Sequence, residues 1–468
     1  MKIDTFQGYI QYREKEHVFI FDNYELKLIP SSYNNLIENQ TTHVFKSLSK
    51  TNKNGWINNI ILDGYQFDGT QVTFCIQDNP GFKNGIFSYK VKWLYINDLK
   101  YGEPIRINGI NFISQEINSF YSIKKHITDD FSLENGCYKE YQLNIKALNP
   151  TLLGNFKFSN YGVKIFGDMS FRQKYSSNER IEMWSKLVLE LSRELNDPKK
   201  LYELVILQLS VIKFITYRLN NTFDMIETYI YDEHGRKYPS GRFYINNQCK
   251  PESDYENIKH LIISDNIPNL GDLYKLILNG NIYMSHICSD YSKRKIYDPS
   301  RMLGIMIAFE RLFRWQYGIN AIRSDDYLEL LDRIKINLEN NKDDICHGLK
   351  VKRNFEKVIN RLSEPQVSYG DYISHVIKDI PLCESYIKNL YEVSDVDNII
   401  NDISKRVNNF RNDMAHGNID VDISIEHTKD LKLLEIIIFI MIFNYLGIQD
   451  DEIINKINWL FNIKFFKR

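Results

Sequence analysis

Cysteine is sparse in this sequence, and its spacing matches neither a disulfide framework nor a zinc ribbon. The six cysteines are widely separated and include no C-x-x-C pair; they are Cys75, Cys137, Cys249, Cys288, Cys346 and Cys383. Disulfide-rich secreted domains and zinc ribbons both depend on closely spaced cysteines. We therefore expect reduced thiols and a cytoplasmic protein.

Long apolar segments and an excess of one charge are also absent. The longest apolar run, 436–443, is much shorter than the roughly 20 residues that a membrane-spanning helix needs. The N-terminus has no basic-then-apolar signal pattern. With 59 basic and 60 acidic side chains the net charge is −1, so nucleic-acid binding would depend on local basic patches. The sequence predicts no membrane partner.

Several common cofactor and catalytic motifs are missing too. The chain has no G-x-G-x-x-G, Walker or G-x-S-x-G motif, so nucleotide-binding and serine-hydrolase functions have no support. Asp343, Asp344, Cys346 and His347 lie close together, but no second group of ligands follows at metal-site spacing. We therefore expect no metal and no other cofactor.

Alternating apolar residues and turn dipeptides are typical of a β-rich structure in the first part of the chain. Apolar and polar residues alternate through 24–28 and 87–95. Asp68-Gly69 and Asn84-Gly85 are dipeptides that favour hairpin turns, because these residues tolerate positive φ. The pattern predicts an antiparallel sandwich or barrel-like domain.

Helices are predicted within this β-rich part, and strands resume after them. The predicted helices and the strands that follow are 182–195, 200–219, 225–231 and 242–245. Because strands return, these helices belong to the same domain, which ends at the polar stretch 247–253. We predict residues 1–250 to be a β-rich N-terminal domain with inserted helices.

Beyond this boundary almost every segment has helical periodicity. The predicted helices are 255–263, 270–278, 300–317, 327–338, 353–362, 372–377, 383–391, 396–416, 424–446 and 451–461. Short connections between amphipathic helices indicate a bundle. We therefore predict an all-α domain over residues 251–468 and an α+β chain.

The stretch with the most chemical content ends one of these helices. Ile399, Ile403, Val407, Phe410 and Met414 form an apolar stripe at helical spacing. The polar residues Arg411, Asn412 and His416 lie off that stripe, and Gly417 follows as a helix stop. An arginine, an asparagine and a histidine at a solvent-facing helix end can hold a phosphate and move its protons. The bare spacing of these residues also fits an ordinary exposed helix end.

The sequence Arg411-Asn412-x-x-x-His416 resembles the Arg-Asn-x-x-x-His signature of HEPN endoribonucleases. A long β-rich front followed by a helical back is similar to the layout of ApeA-like anti-phage proteins. The resemblance implies a HEPN bundle at 251–468 with Arg411, Asn412 and His416 as catalytic residues. It also implies cleavage of host RNA, with tRNA as the expected substrate, through a 2′,3′-cyclic phosphate.

Three further residues are candidates for supporting roles. Glu310 lies on a predicted helix that is near the motif helix in a HEPN bundle, where it would orient Arg411 or His416. The alternative is local pairing of Glu310 with Arg314 one turn away. Lys405 and Asn408 continue the polar face of His416, and we expect them to bind RNA.

The resemblance also makes predictions about partners. On an ideal helix Arg411 and His416 are about 140° apart, so one motif does not form a compact site. HEPN ribonucleases as a family pair two motifs, which implies a homodimer through the helical domain. The N-terminal domain is then a sensor or regulatory domain, with a phage protein as a possible trigger. The alternative is a non-catalytic HEPN module that binds nucleic acid or a partner, combined with a ligand-sensing β domain.

Overall fold

The computed structural model describes residues 3–31, 59–99, 102–134, 137–145, 149–172, 182–246, 262–318, 325–342, 348–363, 368–415 and 423–463. The chain divides into two compact units, Met1–Lys275 and Leu276–Arg468. The sequence-based boundary at 247–253 falls outside the described residues and stays a prediction. The β-rich front and the helical back confirm the predicted α+β class.

The first unit contains the strands, all of which pair antiparallel. They are β1 (Phe6–Tyr12), β2 (Lys15–Asp22), β3 (Glu25–Pro30), β4 (Asn59–Gln66), β5 (Gln71–Gln77), β6 (Gly81–Lys83), β7 (Ile86–Asn97), β8 (Ile107–Ile113), β9 (Ile127–Glu134), β10 (Cys137–Ile145), β11 (Thr151–Phe158), β12 (Tyr161–Arg172), β13 (Glu182–Leu195), β14 (Met225–Tyr231) and β15 (Lys237–Ile245).

Most of these strands form one sheet that closes on itself at one end. The strand order is β11-β12-β13-β8-β14-β15-β7-β3-β2-β1-β4-β5, and β5 also pairs with β7. The six strands from β7 to β5 therefore form a barrel, and β11 to β15 with β8 extend from it as an open sheet. Phe19, Phe21, Leu26 and Phe74 fill the barrel interior and are fully buried, which confirms the barrel-like prediction.

Both predicted hairpin turns are present. Asp68 and Gly69 connect β4 to β5, with Gly69 at φ 89° and the Thr70 amide donating to Asp68 Oδ1 at 2.9 Å. Asn84 (φ 54°) and Gly85 (φ 81°) connect β6 to β7. Two consecutive positive φ values match the right-handed twist of the flanking strands.

The α-helices of the described residues lie mostly in the second unit. They are α1 (Gln115–Phe120), α2 (Pro198–Thr216), α3 (Leu270–Leu278), α4 (Pro299–Tyr317), α5 (Asp325–Asn340), α6 (Leu349–Ser363), α7 (Tyr369–Asp379), α8 (Pro381–Tyr391), α9 (Asp397–Ala415), α10 (Ile425–Tyr445) and α11 (Asp450–Phe461). None of the described helices combines the length and apolar composition that a membrane crossing requires.

The prediction of a helix at 182–195 is wrong, because this segment is strand β13. Its leucine, glutamate and lysine residues are good helix formers, but a period of two buries Ser185, Leu187 and Leu189 on one face. β13 pairs with β12 along one edge and with β8 along the other. These two sets of backbone hydrogen bonds and the burial of one face outweigh the local preference for a helix.

Helix α10 lies at the centre of the second unit. Every side chain from Leu433 to Phe443 is buried, as expected for a helix that is apolar all round and has no solvent-facing stripe. α10 packs against α4, α8, α9 and α11. The apolar run therefore fills the core of the helical bundle, and the motif helix α9 rests directly against it.

Candidate functional site

Helix α9 presents Arg411 and Asn412 on its outer face because its apolar stripe is turned inward. Ile403, Val407 and Phe410 are buried, where α9 packs against α4, α7 and α10. Arg411 and Asn412 are exposed. His416 and Gly417 lie outside the described residues. The described part of the motif is thus a solvent-facing arginine and asparagine on a firmly packed helix.

Glu310 of α4 holds the Arg411 guanidinium through a two-point contact. Arg411 Nη1 lies 3.2 Å from Glu310 Oε1, and Arg411 Nη2 lies 3.2 Å from Glu310 Oε2. The glutamate side chain is 14% exposed and that of the arginine 46%. A fork of this kind fixes both the position and the plane of a guanidinium. Glu310 therefore holds one edge of the Arg411 guanidinium, and the rest of the group remains open to a ligand.

Glu310 makes this contact across the bundle rather than along its own helix. Among the described side chains its salt-bridge partner is Arg411, and Arg314 lies beyond salt-bridge distance. The buried hydroxyl of Tyr369, on α7, is also beside Glu310. Burial, followed by the Glu310 carboxylate, raises the pKa of Tyr369 well above its usual value. Tyr369 therefore stays protonated at the base of the site.

The two residues expected to bind RNA have different surroundings. Lys405 is exposed on α9. Asn408 is half-buried, and its Nδ2 donates to Ser404 Oγ at 3.3 Å, while Ser404 Oγ accepts from the Gly370 amide at 3.0 Å. A Cβ on Gly370 would lie 3.1 Å from Ser404 Cβ, so glycine permits the close approach of α7 to α9. Lys405 is the more accessible of the two for a phosphate.

The basic residue next to Lys405 stabilises the bundle. Arg406 Nε donates to Asp430 Oδ2 at 2.6 Å and Nη2 donates to Asp430 Oδ1 at 2.8 Å. Asp430 of α10 is fully buried, and the Tyr391 hydroxyl also donates to it. Arg406 therefore connects α9 to α10, and Lys405 is the more exposed of these two adjacent cations.

Sequence reasoning missed a second buried ion pair in the same unit. Arg301 Nη2 donates to Glu435 Oε2 at 2.9 Å, and both side chains are buried. Arg301 also donates to the carbonyls of His286 and Ile296, at 3.1 and 2.6 Å. The sequence feature that could have indicated this ion pair is Glu435, a single acidic residue just before the longest apolar run of the chain. Such a carboxylate needs a buried cationic partner.

The chemistry of this site follows from its own residues. Comparisons of the chain with protein-family models, with curated proteins and with solved structures found no match. What the described residues provide is an oriented, half-exposed Arg411 guanidinium, the exposed amide of the next residue, Asn412, and the exposed Lys405 about 9 Å further back along the same helix. This set can bind and polarise an anionic group such as a phosphodiester.

Proposed function

We propose that the chain is a metal-independent endoribonuclease of the HEPN type, with Arg411, Asn412 and His416 as its catalytic residues. The observation that supports this most is the Arg411–Glu310 fork, at 3.2 Å for both atom pairs. It orients an exposed arginine next to Asn412, at the end of a helix whose other face is buried. An arginine that served only to pair with Glu310 would not require the adjacent Asn412 and His416.

The proposed reaction uses the nucleophile that RNA itself carries. The 2′-oxygen attacks the phosphorus, a new 2′-O–P bond forms, and the bond from phosphorus to the 5′-oxygen breaks. A base must accept the 2′-hydroxyl proton and an acid must protonate the leaving 5′-oxygen. The products are a 2′,3′-cyclic phosphate and a 5′-hydroxyl end. No external nucleophile is needed, so the chemistry does not require a metal-activated water.

Each motif residue has a role in this scheme. His416 carries protons, because an unperturbed imidazole titrates near neutral pH. Arg411 binds two phosphate oxygens and stabilises the charge that grows on them in the transition state. Asn412 hydrogen-bonds to His416 or to the ribose. Glu310 is a positioning residue: it orients the guanidinium and does not touch the substrate.

The first prediction is that the purified protein cleaves RNA in an excess of EDTA. We expect 2′,3′-cyclic phosphate and 5′-hydroxyl ends, detected by end-specific ligation and sequencing. A matched reaction with added magnesium controls for the effect of the metal on RNA folding. Complete loss of cleavage in EDTA, with recovery on addition of magnesium or manganese, would contradict the proposed mechanism.

We also propose that the active unit is a homodimer with two motifs at one site. Arg411 and His416 are separated by about 140° on an ideal helix, and one imidazole does not readily serve as base and acid together. Two copies related by a twofold axis place two histidines and two arginines around one phosphate. Lys405 would then line the cleft between the copies.

The second prediction tests this pairing by mixing wild-type chains with His416→Ala chains. If each site needs both histidines, activity falls roughly with the square of the wild-type fraction instead of in direct proportion. Mass photometry of the wild type should show about twice the 55.6 kDa chain mass. A monomer whose activity per wild-type chain is unaffected by the inactive variant would exclude the paired site and leave the ribonuclease proposal standing.

The biological setting proposed for this activity is defence against phage in the cytoplasm. Cleavage of host RNA, with tRNA as the expected class, would stop phage growth, and the β-rich unit would sense a phage protein. The alternative is a non-catalytic bundle that uses the exposed Arg411 and Lys405 only to bind nucleic acid or a partner. RNA binding without cleavage in the EDTA experiment and its magnesium control would favour that alternative.

A further inference from the structure

Helix α6 concentrates positive charge on its surface. Among its described side chains one is acidic, Glu356, and four are basic and exposed: Lys350, Lys352, Arg353 and Lys357. The whole chain has 59 basic and 60 acidic side chains, so this cluster does not result from a basic composition. A local excess of cations on one helix is the electrostatic feature expected of a surface that binds a polyanion.

Three of these cations form a row on the outer side of the helix. Phe355 and Ile359 are buried, and α6 packs against α5. At about 100° per residue, Lys350, Arg353 and Lys357 lie within an arc of about 60°, on the side opposite the buried pair. At about 1.5 Å per residue the row spans about 10 Å of the helix axis. We call these three residues the basic face of α6.

The cations of the basic face are not used for ion pairs with the described residues. Within that part of the chain, the salt bridge of α6 joins Glu356 to Lys342, at 3.7 Å. The three cations of the basic face form no salt bridge with any described carboxylate. On α5, by contrast, Arg333 pairs with Glu329 one turn away. The basic face therefore carries positive charge that no described ion pair balances.

Helix stability does not account for this arrangement. Lys350 and Arg353 are three residues apart, and Arg353 and Lys357 are four apart, which are spacings at which like charges destabilise a helix. The helix dipole favours acidic side chains in the first turn, and α6 has none there. A local arrangement that opposes stability is expected where the residues serve a function.

A groove beside the first two turns of α6 gives these cations a concave surface. Its volume is about 540 Å³, and the described residues that line it are Leu349, Lys350, Lys352, Arg353 and Glu356. Three of these five side chains are cations. A guanidinium can hold two phosphate oxygens, and lysine supplies a compact positive charge. The lining of the groove therefore suits an anionic group such as a phosphate.

A phosphate polymer fits this surface better than a membrane does. A helix that binds a membrane surface inserts its apolar face into the lipid, whereas Phe355 and Ile359 of α6 are buried within the protein. A row of cations about 10 Å long matches instead a nucleic-acid strand, whose phosphates repeat at short spacing. Helix α6 also belongs to the same compact unit as Arg411.

We propose that the basic face of α6 binds the phosphate backbone of the RNA substrate, in addition to the contacts made at the motif. The choice of RNA rests on the proposed ribonuclease function, whereas the choice of a phosphate polymer rests on the row of cations and the groove. Contacts to phosphates carry no sequence information. The basic face therefore contributes affinity for RNA without selecting the position of cleavage.

The third prediction is that combining Lys350→Gln, Arg353→Gln and Lys357→Gln weakens RNA binding and its dependence on salt. Glutamine keeps a helix propensity close to that of lysine and arginine. Each phosphate contact to a single strand contributes about 0.7 to the slope of log K against log salt, so the slope should decrease in size by about 2. Affinity at about 0.1 M salt should fall at least about tenfold. Fluorescence anisotropy with a labelled single-stranded RNA measures both, on chains that also carry His416→Ala to prevent cleavage.

Two control variants separate the basic face from the total charge of the chain. Combining Lys90→Gln, Lys157→Gln and Lys164→Gln makes the same change in net charge at exposed positions of the other unit. Because distant surface charges are screened by salt, this control should bind RNA within about twofold of its parent. Combining Lys350→Arg with Lys357→Arg keeps the charge of the basic face and should also bind RNA like the parent.

Unchanged RNA affinity and salt slope in the α6 glutamine variant, or an equal loss in the charge-matched control, would overturn the proposal. Vesicles that contain phosphatidylserine are a second probe. Vesicle binding that depends on the three cations, with RNA binding unchanged, would assign the basic face to a membrane instead. The binding assay does not depend on catalysis, so a wild type that fails to cleave RNA would contradict the ribonuclease proposal alone.

Discussion

Replacing Arg411 by alanine is expected to lower RNA cleavage by roughly 10²–10³-fold, the loss typical when one group that stabilises transition-state charge is removed. Its guanidinium is 46% exposed, which screens the pair, but Glu310 is only 14% exposed and loses its cationic partner, so we expect Arg411→Ala to cost about 1–2 kcal/mol of stability. His416→Ala should abolish cleavage more completely, since no other proton carrier is proposed. Single-turnover kinetics on a defined RNA, with melting curves alongside, measure both effects.

Arg311→Ala is the matched control for the Arg411 variant. Arg311 is an exposed arginine on α4 immediately after Glu310, so this change removes the same charge without touching the motif. We expect cleavage within about twofold of the wild type. If Arg411→Ala and Arg311→Ala behave alike, or if Arg411→Ala melts well below the wild type, Arg411 is structural and the catalytic assignment is wrong.

Replacing Arg301 by leucine is expected to destabilise the helical unit by roughly 3–5 kcal/mol. The change leaves Glu435, which is fully buried, without its cationic partner, and it removes donors from the carbonyls of His286, Arg294 and Ile296. For a unit of this size the melting temperature should fall by roughly 6–20 °C. Differential scanning calorimetry of the full chain measures the shift.

Two further variants separate the buried pair from a general effect of losing an arginine. Arg301→Leu combined with Glu435→Leu should recover part of the loss, because no charge is then left buried without a partner. Arg333→Leu removes a largely exposed i,i+4 pair with Glu329 and should change stability by less than about 1 kcal/mol. An Arg301→Leu protein that melts within about 2 °C of the wild type would contradict this description of the core.

The elements that could be predicted from the sequence are those in which local pattern and tertiary burial agree. Helix α9 was predictable because its apolar stripe has a regular helical period and is buried. The turn at Asn84-Gly85 was predictable because asparagine and glycine adopt positive φ at little steric cost. The residue types of β13 favour a helix, whereas its strand conformation depends on pairing with β12 and with β8, a strand distant in sequence.

The residues of the candidate site also divide into those that the sequence predicts and those that it does not. Arg411 and Asn412 were identifiable from adjacent residues and their spacing on one helix. The sequence left the partner of Glu310 open between the motif residues and Arg314. The choice depends on how α4 packs against α9, which the sequence does not show. The ion pair of Arg406 with Asp430 depends on a side chain of another helix, and the spacing of residues within α9 does not predict it.

The proposed ribonuclease activity is tested most directly by sequencing RNA 5′-hydroxyl ends from cells that produce the wild type or His416→Ala at matched levels. The proposal predicts new 5′-hydroxyl ends at recurrent positions, with tRNA as the expected class, in cells with the wild type and their absence in cells with the variant. The same set of ends in both samples would contradict it, because cleavage would then not depend on the motif histidine.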